Sequence, residues 1–248
     1  MPHLSRLSVG PAVRAFTVMA WVSVVLVLDS DGSLGLQGLL GLATWALLAL
    51  ALWAEPLAVR VQTGVVVVFA SAVEYTFAPL LGAYTYRFDN VPAYVPPGHG
   101  LVYLSAYALG HAAWVQRHRR TSVAAVLVVG GAWALHGLLA DRSDVLGAFW
   151  YACLVLFVVL GPSRGVYLGA FVAVSWLELA GTHLGTWTWG THDPTGWVSI
   201  GNPPSGAAGG YGWFDLVALL AAPAMLRGWA RITGSPGPRP EPEAVDVR

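Results

Sequence analysis

Two stretches of the chain, each closing a long apolar run, carry the same residues in the same order, and that order restricts the fold more than any other feature. The first reads Glu74-Tyr-Thr-Phe-Ala-Pro-Leu-Leu-Gly82-Ala-Tyr84-Thr-Tyr86 and, after a polar interval, Pro96-Pro97-Gly98-His99-Gly100. The second reads Glu178-Leu-Ala-Gly-Thr-His-Leu-Gly185-Thr-Trp187-Thr-Trp189 and, after its own interval, Pro203-Pro204-Ser205-Gly206. The glutamates lie 104 residues apart, the aromatic-Thr-aromatic triplets 103 and the proline pairs 107. So small a drift indicates an internal duplication. Its unit is a glutamate inside an apolar helix, an aromatic-Thr-aromatic exit and a Pro-Pro-Gly/Ser loop.

A glutamate can sit in an apolar run for two reasons, a soluble core or a membrane, and composition decides between them. Hydrophobic residues make up 56% of the chain and charged residues 10%, against about 25% charged in soluble domains. The chain reads as a membrane protein. Thirteen basic residues balance thirteen acidic ones, and no Lys/Arg run interleaves with aromatics, so a nucleic-acid partner is not expected. The single cysteine, Cys153, excludes an internal disulfide and a cysteine-based metal cluster.

Apolar spans of about 20 residues fall near 11–29, 35–54, 62–82, 101–117, 121–140, 145–160, 164–184 and 206–227. The expected fold is therefore all-α, a polytopic membrane bundle of about eight transmembrane helices. Arg6 and Arg14 precede the first span, and Leu-Asp-Ser-Asp-Gly after it makes a poor cleavage site, so the span is expected to stay uncleaved. Every second loop is basic: Arg60, the cluster Arg117-His118-Arg119-Arg120, Arg164, then Arg227 and Arg231. The intervening loops are balanced or acidic, which places both termini in the cytoplasm of a multi-pass protein in the cell membrane. Four helices then make each half, 11–117 and 121–228, as parallel repeats. A short cytoplasmic segment, 1–10, precedes them. A proline-rich tail, 234–248, has too little apolar surface to fold and is expected to be disordered.

In this topology each glutamate lies on the third helix of its half. Glu74 is eight residues before Gly82 and Glu178 seven before Gly185, so each sits roughly 12 Å below the helix exit. A carboxylate at such depth costs at least about 2.5 kcal/mol and normally faces the bundle interior or a cavity. Two at equivalent places imply a shared polar pocket; the alternative is a structural hydrogen bond tightening each half. Asp215 and His111, each about ten residues into its span, and His136, near the end of the fifth, are the other ionisable candidates for catalysis.

Tyr84, Tyr86, Trp187, Trp189 and Trp213, with Trp197 and Tyr211, gather at the outer mouth, and His99 and His183 lie near them. A headgroup-level belt explains aromatics in general. Alternation in an extended segment puts both rings of a triplet on one side, which would form a wall for an apolar or cationic ligand. Tyr84, Tyr86, His99, His183, Trp187, Trp189 and Trp213 are therefore the candidate substrate contacts. Glu74, Glu178, Asp215, His111 and His136 could supply ligands to iron, manganese or zinc. No His-x-x-His, His-x-x-x-His or His-Glu-x-x-His pair is present, however, and no metal or other cofactor is expected.

Glu178-Leu-Ala-Gly181, Gly185 and Trp187-Thr-Trp189 resemble the bacterial carotenoid biosynthesis membrane proteins of the 1,2-hydratase type, over about 30 residues. In the first copy Glu74-Tyr-Thr-Phe stands where Glu-x-x-Gly belongs. The general plan also looks like that of transmembrane terpene cyclases. The resemblance implies acid-initiated alkene chemistry on an isoprenoid or other apolar lipid, by hydration or cyclisation. On physical grounds a buried carboxylic acid can protonate such a substrate while aromatic faces stabilise the cation, with Glu178 as the acid and Glu74 or Asp215 as its partner. A proton-coupled transporter or lipid carrier would use the same paired carboxylates. No oligomeric state follows from these residues.

Overall fold

The computed structural model describes residues 10–234, so Arg6, the remainder of the expected N-terminal segment and the tail beyond Gly234 lie outside the described residues. Among the described residues nine α-helices run in the order α1 (Pro11–Ser30), α2 (Leu34–Trp53), α3 (Leu57–Tyr75), α4 (Val95–Gly110), α5 (Ala113–Arg117), α6 (Arg119–Leu139), α7 (Val145–Leu160), α8 (Arg164–His183) and α9 (Ala207–Thr233). A π-helical turn, Thr76–Leu80, extends α3, and two short strands, β1 (Tyr84–Tyr86) and β2 (Trp187–Trp189), follow α3 and α8. Among the described residues six helices are long and apolar enough to cross a membrane: α1, α2, α3 with its π turn, α6, α8 and α9. The helices α4 and α7, at 16 residues each, are shorter than that.

The fourth helix departs most from the sequence expectation. It begins at Val95 instead of 101 and ends at Gly110 instead of 117, where His111 caps it and a separate short helix follows. Pro96-Pro97-Gly98-His99 is therefore its first turn and not a loop. Proline fits there because the first N–H groups of a helix have no intrahelical partner. In the second copy Pro203-Pro204 does remain in a loop, ahead of the N-cap Gly206.

Four helices make the centre of the bundle. Both α3 and α8 pack against α4 and α9 alike, while α7 lies on α9, α1 on α4, and α6 on α7. The α4–α8 crossing is a backbone contact: a Cβ on Gly169 would stand 2.0 Å from the Ala106 carbonyl oxygen. The α7–α9 contact is similar, with the Trp150 carbonyl oxygen 1.8 Å from a Cβ on Gly209. Small residues permit this approach in membrane bundles, where dispersion and not the exclusion of water drives helices together. Tyr103, Tyr167, Leu154 and Val174 fill the interior, while Leu42, Leu50, Val68 and Leu139 stay exposed on the outer faces, as helices in contact with lipid require.

At one end β1 and β2 form an antiparallel ribbon with Tyr84 opposite Trp189, Thr85 opposite Thr188 and Tyr86 opposite Trp187. Each strand is entered through a glycine of left-handed backbone, Gly82 at φ 65° and Gly185 at φ 69°, a conformation that suits glycine at helix ends. The basic residues Arg60, Arg117, Arg119, Arg120, Arg164 and Arg231 lie in or beside the helix ends remote from this ribbon. Arg60 closes the α2–α3 turn there through the carbonyls of Trp53 and Glu55, each at 2.7 Å.

Candidate functional site

The strand period of two brings Tyr84 and Tyr86 to one face of β1, with Thr85 on the other. Both phenols donate to Glu74 Oε2, at 2.8 Å each. The other oxygen, Oε1, meets His99 Nε2 at 2.8 Å. Burial first, and the Glu74 charge after it, push both phenols well above their ordinary ionisation range, so they remain donors. Glu74 thus holds three partners. Hydrogen bonds to a charged group contribute about 1.5–3 kcal/mol each, enough together to offset the burial of one carboxylate.

The second copy repeats the arrangement with different chemistry. Trp187 and Trp189 both donate their indole N–H to Glu178 Oε2, at 3.1 Å each. Oε1 has only a long contact, 3.5 Å, from the Tyr211 hydroxyl. Gly181 makes room for this: a Cβ there would lie 1.8 Å from the Trp187 ring. The Gly of the Glu-x-x-Gly motif is therefore a seat for the indole.

The copies differ in length by one residue, since Glu74 precedes Tyr84 by ten positions and Glu178 precedes Trp187 by nine. The π turn takes up the difference. Pro79 lies inside that turn and can donate no backbone hydrogen bond, and the Leu81 N–H reaches back five residues to the Thr76 carbonyl at 3.0 Å. The helix widens by one residue there, and both glutamates meet their triplets alike.

Between the two glutamates lies a cavity of about 450 Å³. Its wall is aromatic and aliphatic, with Trp21, Phe69, Phe77, Trp150, Tyr211 and Phe214 beside the four ribbon aromatics, and its polar side chains include Glu74, Glu178 and His99. His99 is buried between α4 and α9, stacked on Tyr211 with ring centres 5.2 Å apart and edge-on to Phe214 at 5.5 Å. Its Nδ1 has no hydrogen-bond partner among the described residues. The sequence places His99 near the surface because it treats Pro-Pro-Gly-His as a loop; the proline-initiated first turn of α4 carries it inward.

The remaining sequence candidates separate. Trp213 lines the cavity and packs on Phe157, with 5.2 Å between ring centres. Asp215 is buried on α9 but does not line the cavity. His111 caps α4 at the end remote from the ribbon, exposed, with Nδ1 2.7 Å from the Tyr107 carbonyl. It lies at the end of its helix and not ten residues inside, because α4 starts and stops early. His136 and His183 are exposed in the last turns of α6 and α8 and line no part of the cavity. No group of three or more His, Cys, Asp or Glu side chains is gathered for a metal among the described residues.

The structure also shows a frame that the sequence reading left out. Asp144, at the N-cap of α7, accepts from the backbone N–H of Gly147, Gly201 and Ser205 and from the Ser205 hydroxyl, at 2.6–2.9 Å. Arg142 donates to the carbonyls of Trp189, Gly190 and Ile200 at 2.7–2.8 Å. In the first half Asp29 accepts from Gln37 at 3.0 Å and from Tyr94 at 2.7 Å, and Arg87 binds the Gly32 carbonyl. In each half a buried aspartate and an arginine anchor the ribbon and the segment after it. An aspartate beside an arginine in a loop of near-neutral charge gives little signal in sequence. No protein-family model, curated protein or solved structure matches the chain.

Proposed function

We propose that the protein is an integral membrane enzyme that performs acid/base chemistry on the double bonds of an apolar isoprenoid or related lipid, by hydration or cyclisation. The observation that carries this reading is the asymmetry of Glu178. An indole N–H can only donate, so Oε2, facing two of them, cannot hold a proton. The protonated acid must carry its proton on Oε1, where only the long Tyr211 contact competes. An acid aimed this way into an aromatic cavity is suited to protonate an alkene.

In this mechanism the Glu178 Oε1 proton adds to one carbon of a double bond, and the π pair forms the new C–H bond and leaves a cation on the other carbon. The faces of Tyr84, Trp189, Trp150 and Tyr211 stabilise that charge. For hydration, a water oxygen adds to the cation and its surplus proton passes to the His99–Glu74 pair. For cyclisation, a second double bond of the substrate attacks the cation, and the same pair takes a proton from a neighbouring carbon. Glu178 is left as a carboxylate and regains its proton before the next turnover. The resemblance of the Glu178-to-Trp189 segment to the carotenoid 1,2-hydratase type supports the hydration form. Eight crossing helices in two parallel four-helix halves, with both termini cytoplasmic, complete the proposal. The packing of each half's third helix on the fourth helix of both halves supports that arrangement, and α4, enclosed by α1, α2, α3 and α8, does not need full membrane length.

A lipid carrier or proton-coupled transporter would use the same cavity but needs access from both sides. The backbone contact at the α4–α8 crossing, remote from the ribbon, counts against that. The deciding test is mass spectrometry of acyclic polyenes incubated with the purified protein in nanodiscs and isotopically labelled water. Product carrying the label, or a cyclised isomer, is expected from the wild type, reduced about 10²–10⁴-fold in Glu178→Gln. Bound but chemically unchanged polyene in both proteins overturns the enzyme in favour of the carrier.

A further inference from the structure

Matched half to half, α1 corresponds to α6, α2 to α7, α3 to α8 and α4 to α9. The match holds for the inner helices and fails for the first helix of each half. In the first half α1 lies across α4 and α8, with a lighter contact on α2. Trp176 of α8 donates its indole N–H to the Ser23 hydroxyl of α1 at 3.0 Å, which ties that seam. The corresponding place in the second half is across α9 and α3, beside α7. The helix that belongs there, α6, packs on α7 and α8 instead. Tyr151 of α7 holds it: the phenol donates to the Leu127 carbonyl at 2.7 Å, and a Cβ on Gly130 or Gly131 would meet the same side chain at 3.1 or 2.8 Å. The face of α9 between α3 and α7 is left without a covering helix among the described residues.

The cavity reaches the outside on that face. Three residues that line it are also exposed: Phe77 in the π turn at 41%, Trp213 on α9 at 46%, and Pro194 in the loop after β2. Phe69 and Val73 of α3, with Leu146 and Trp150 of α7, line the same side and are half-buried. On the α1 side Val25 and Leu26 are buried, and Trp21 and Val22 half-buried. None of the side chains that α3, α7 and α9 bring to the open face carries a charge, apart from Glu74 deeper in. Around the opening, Leu80 in the π turn, Phe149 three residues after Leu146 and Leu220 seven after Trp213 are exposed, an apolar outer face of the kind that meets lipid.

At about 450 Å³ the cavity lies in the lower half of the range that encloses a drug-sized molecule, about 300–1,000 Å³. A long chain does not fit whole. An opening on lipid lets it bury one end and leave the rest among acyl chains that are as apolar as itself. A charged headgroup passing the same walls would lose its water with no partner in exchange, so the apolar end goes in first.

We propose that the cavity is entered sideways from the bilayer, through a portal between α3 and α7 whose jambs are Phe77 and Trp213, and that its ligand is a long apolar chain lodged by one end with the remainder in the lipid. This deepens the reading above and rests on it for the chemistry at the lodged end. The portal itself serves an enzyme and a carrier alike.

The test is photocrosslinking of the full chain in nanodiscs, with p-benzoylphenylalanine placed singly at Phe77 on the jamb, at Leu80 on the outer face of the same turn, and at Val24 on the outer face of α1 as the control. The probes are squalene, a long acyclic polyene, and myrcene, a short one. Squalene adducts are expected at Phe77 and Leu80 about tenfold above its share of the bilayer, a preference of about 1.4 kcal/mol, and at Val24 only in that share. Myrcene adducts are expected at Phe77 and not at Leu80. Squalene enriched at Val24, or at none of the three, overturns the portal. Squalene enriched at Phe77 alone means that it is enclosed whole, and overturns the lodged chain. None of these readouts depends on turnover: enriched but chemically unchanged squalene keeps the portal and sinks the enzyme, while altered polyene without enrichment at Phe77 or Leu80 does the reverse. Should the replacement at Phe77 fail to fold, the exposed positions Leu80 and Val24 still decide between the two sides.

Discussion

Thr85 stands directly opposite Thr188 in the ribbon, and the two threonines occupy the same place in the two copies of the repeated stretch. An antiparallel pair centred on equivalent residues has a local two-fold relation. It brings Tyr84 to Trp189, with ring centres 4.5 Å apart, and Tyr86 to Trp187, at 6.2 Å. The two glutamates below are related in the same way, and the cavity lies between them.

The number of partners around each glutamate predicts their order of importance for stability. Glu74→Gln removes the charge from three existing contacts, turns an amide N–H₂ toward one side of them, and is expected to destabilise the protein by about 2–4 kcal/mol. Glu178→Gln, which disturbs two indole bonds and a long contact, is expected to cost about half that. Unfolding by SDS titration in mixed micelles should place the midpoints in the order Glu74→Gln, Glu178→Gln, wild type. The reverse order for the two variants would show that Glu178 is the structural member.

Gly181 supports the Trp187 ring, so any side chain there must displace the indole. Gly181→Ala is expected to destabilise by about 1–3 kcal/mol, the usual range for overpacking. It should also red-shift the tryptophan emission as Trp187 moves off α8 and loses Glu178. An unshifted spectrum with full stability would mean that the ring has another place to go.

The π turn predicts unequal tolerance of deletion. Removing Phe77 from the π turn after α3 gives the first copy the spacing of the second and should leave a folded, monodisperse protein, because the turn can close to ordinary α-helix. Removing Ala180, the residue before Gly181 in α8, rotates Glu178 away from both tryptophans with no slack to absorb it and should leave aggregated material. Size-exclusion chromatography of the two deletions compares them directly.

Asp193 predicts a pH effect confined to the loop after β2. The Thr195 hydroxyl, at 2.6 Å, and then the Val198 N–H, at 2.8 Å, hold its carboxyl below the ordinary aspartate range. The folded value being the lower one, the loop gains stability above the unfolded value and loses it as pH falls through the folded one. Protection of the Trp197 and Val198 amides from hydrogen exchange, taken relative to their intrinsic rates, should fall in acid ahead of that of the helices, and in Asp193→Ala it should be low at neutral pH as well.

Much of the helical plan was legible in the chain because apolar length and loop chemistry report it directly. The expected limits of the sixth span, 145–160, coincide with α7, and those of the second and seventh fall within a residue of α2 and α8. The fourth was displaced because Pro-Pro reads as a loop, whereas the start of a helix accepts proline as readily. That one displacement moved both histidines: His99 inward to Glu74, and His111 outward to a helix end. The paired glutamates and their triplets were visible as spacing. What spacing could not show is that each triplet grips its own glutamate, since nothing in the one-residue difference between copies announces a π turn. The buried frame of Asp144, Arg142, Asp29 and Arg87 was hidden for a related reason: its partners are mostly backbone groups, which every sequence contains.

The grip of each triplet on its own glutamate bears on how the protein is made. Tyr84, Tyr86 and His99 belong to the same half as Glu74, and Trp187, Trp189 and Tyr211 to the same half as Glu178. Glu74 is therefore satisfied by residues that are synthesised well before Glu178 and its partners. Only the ribbon and the packing of helices must form between halves. The partners of each glutamate are thus close in sequence, and it is the cavity, lined from both stretches, that needs the two brought together.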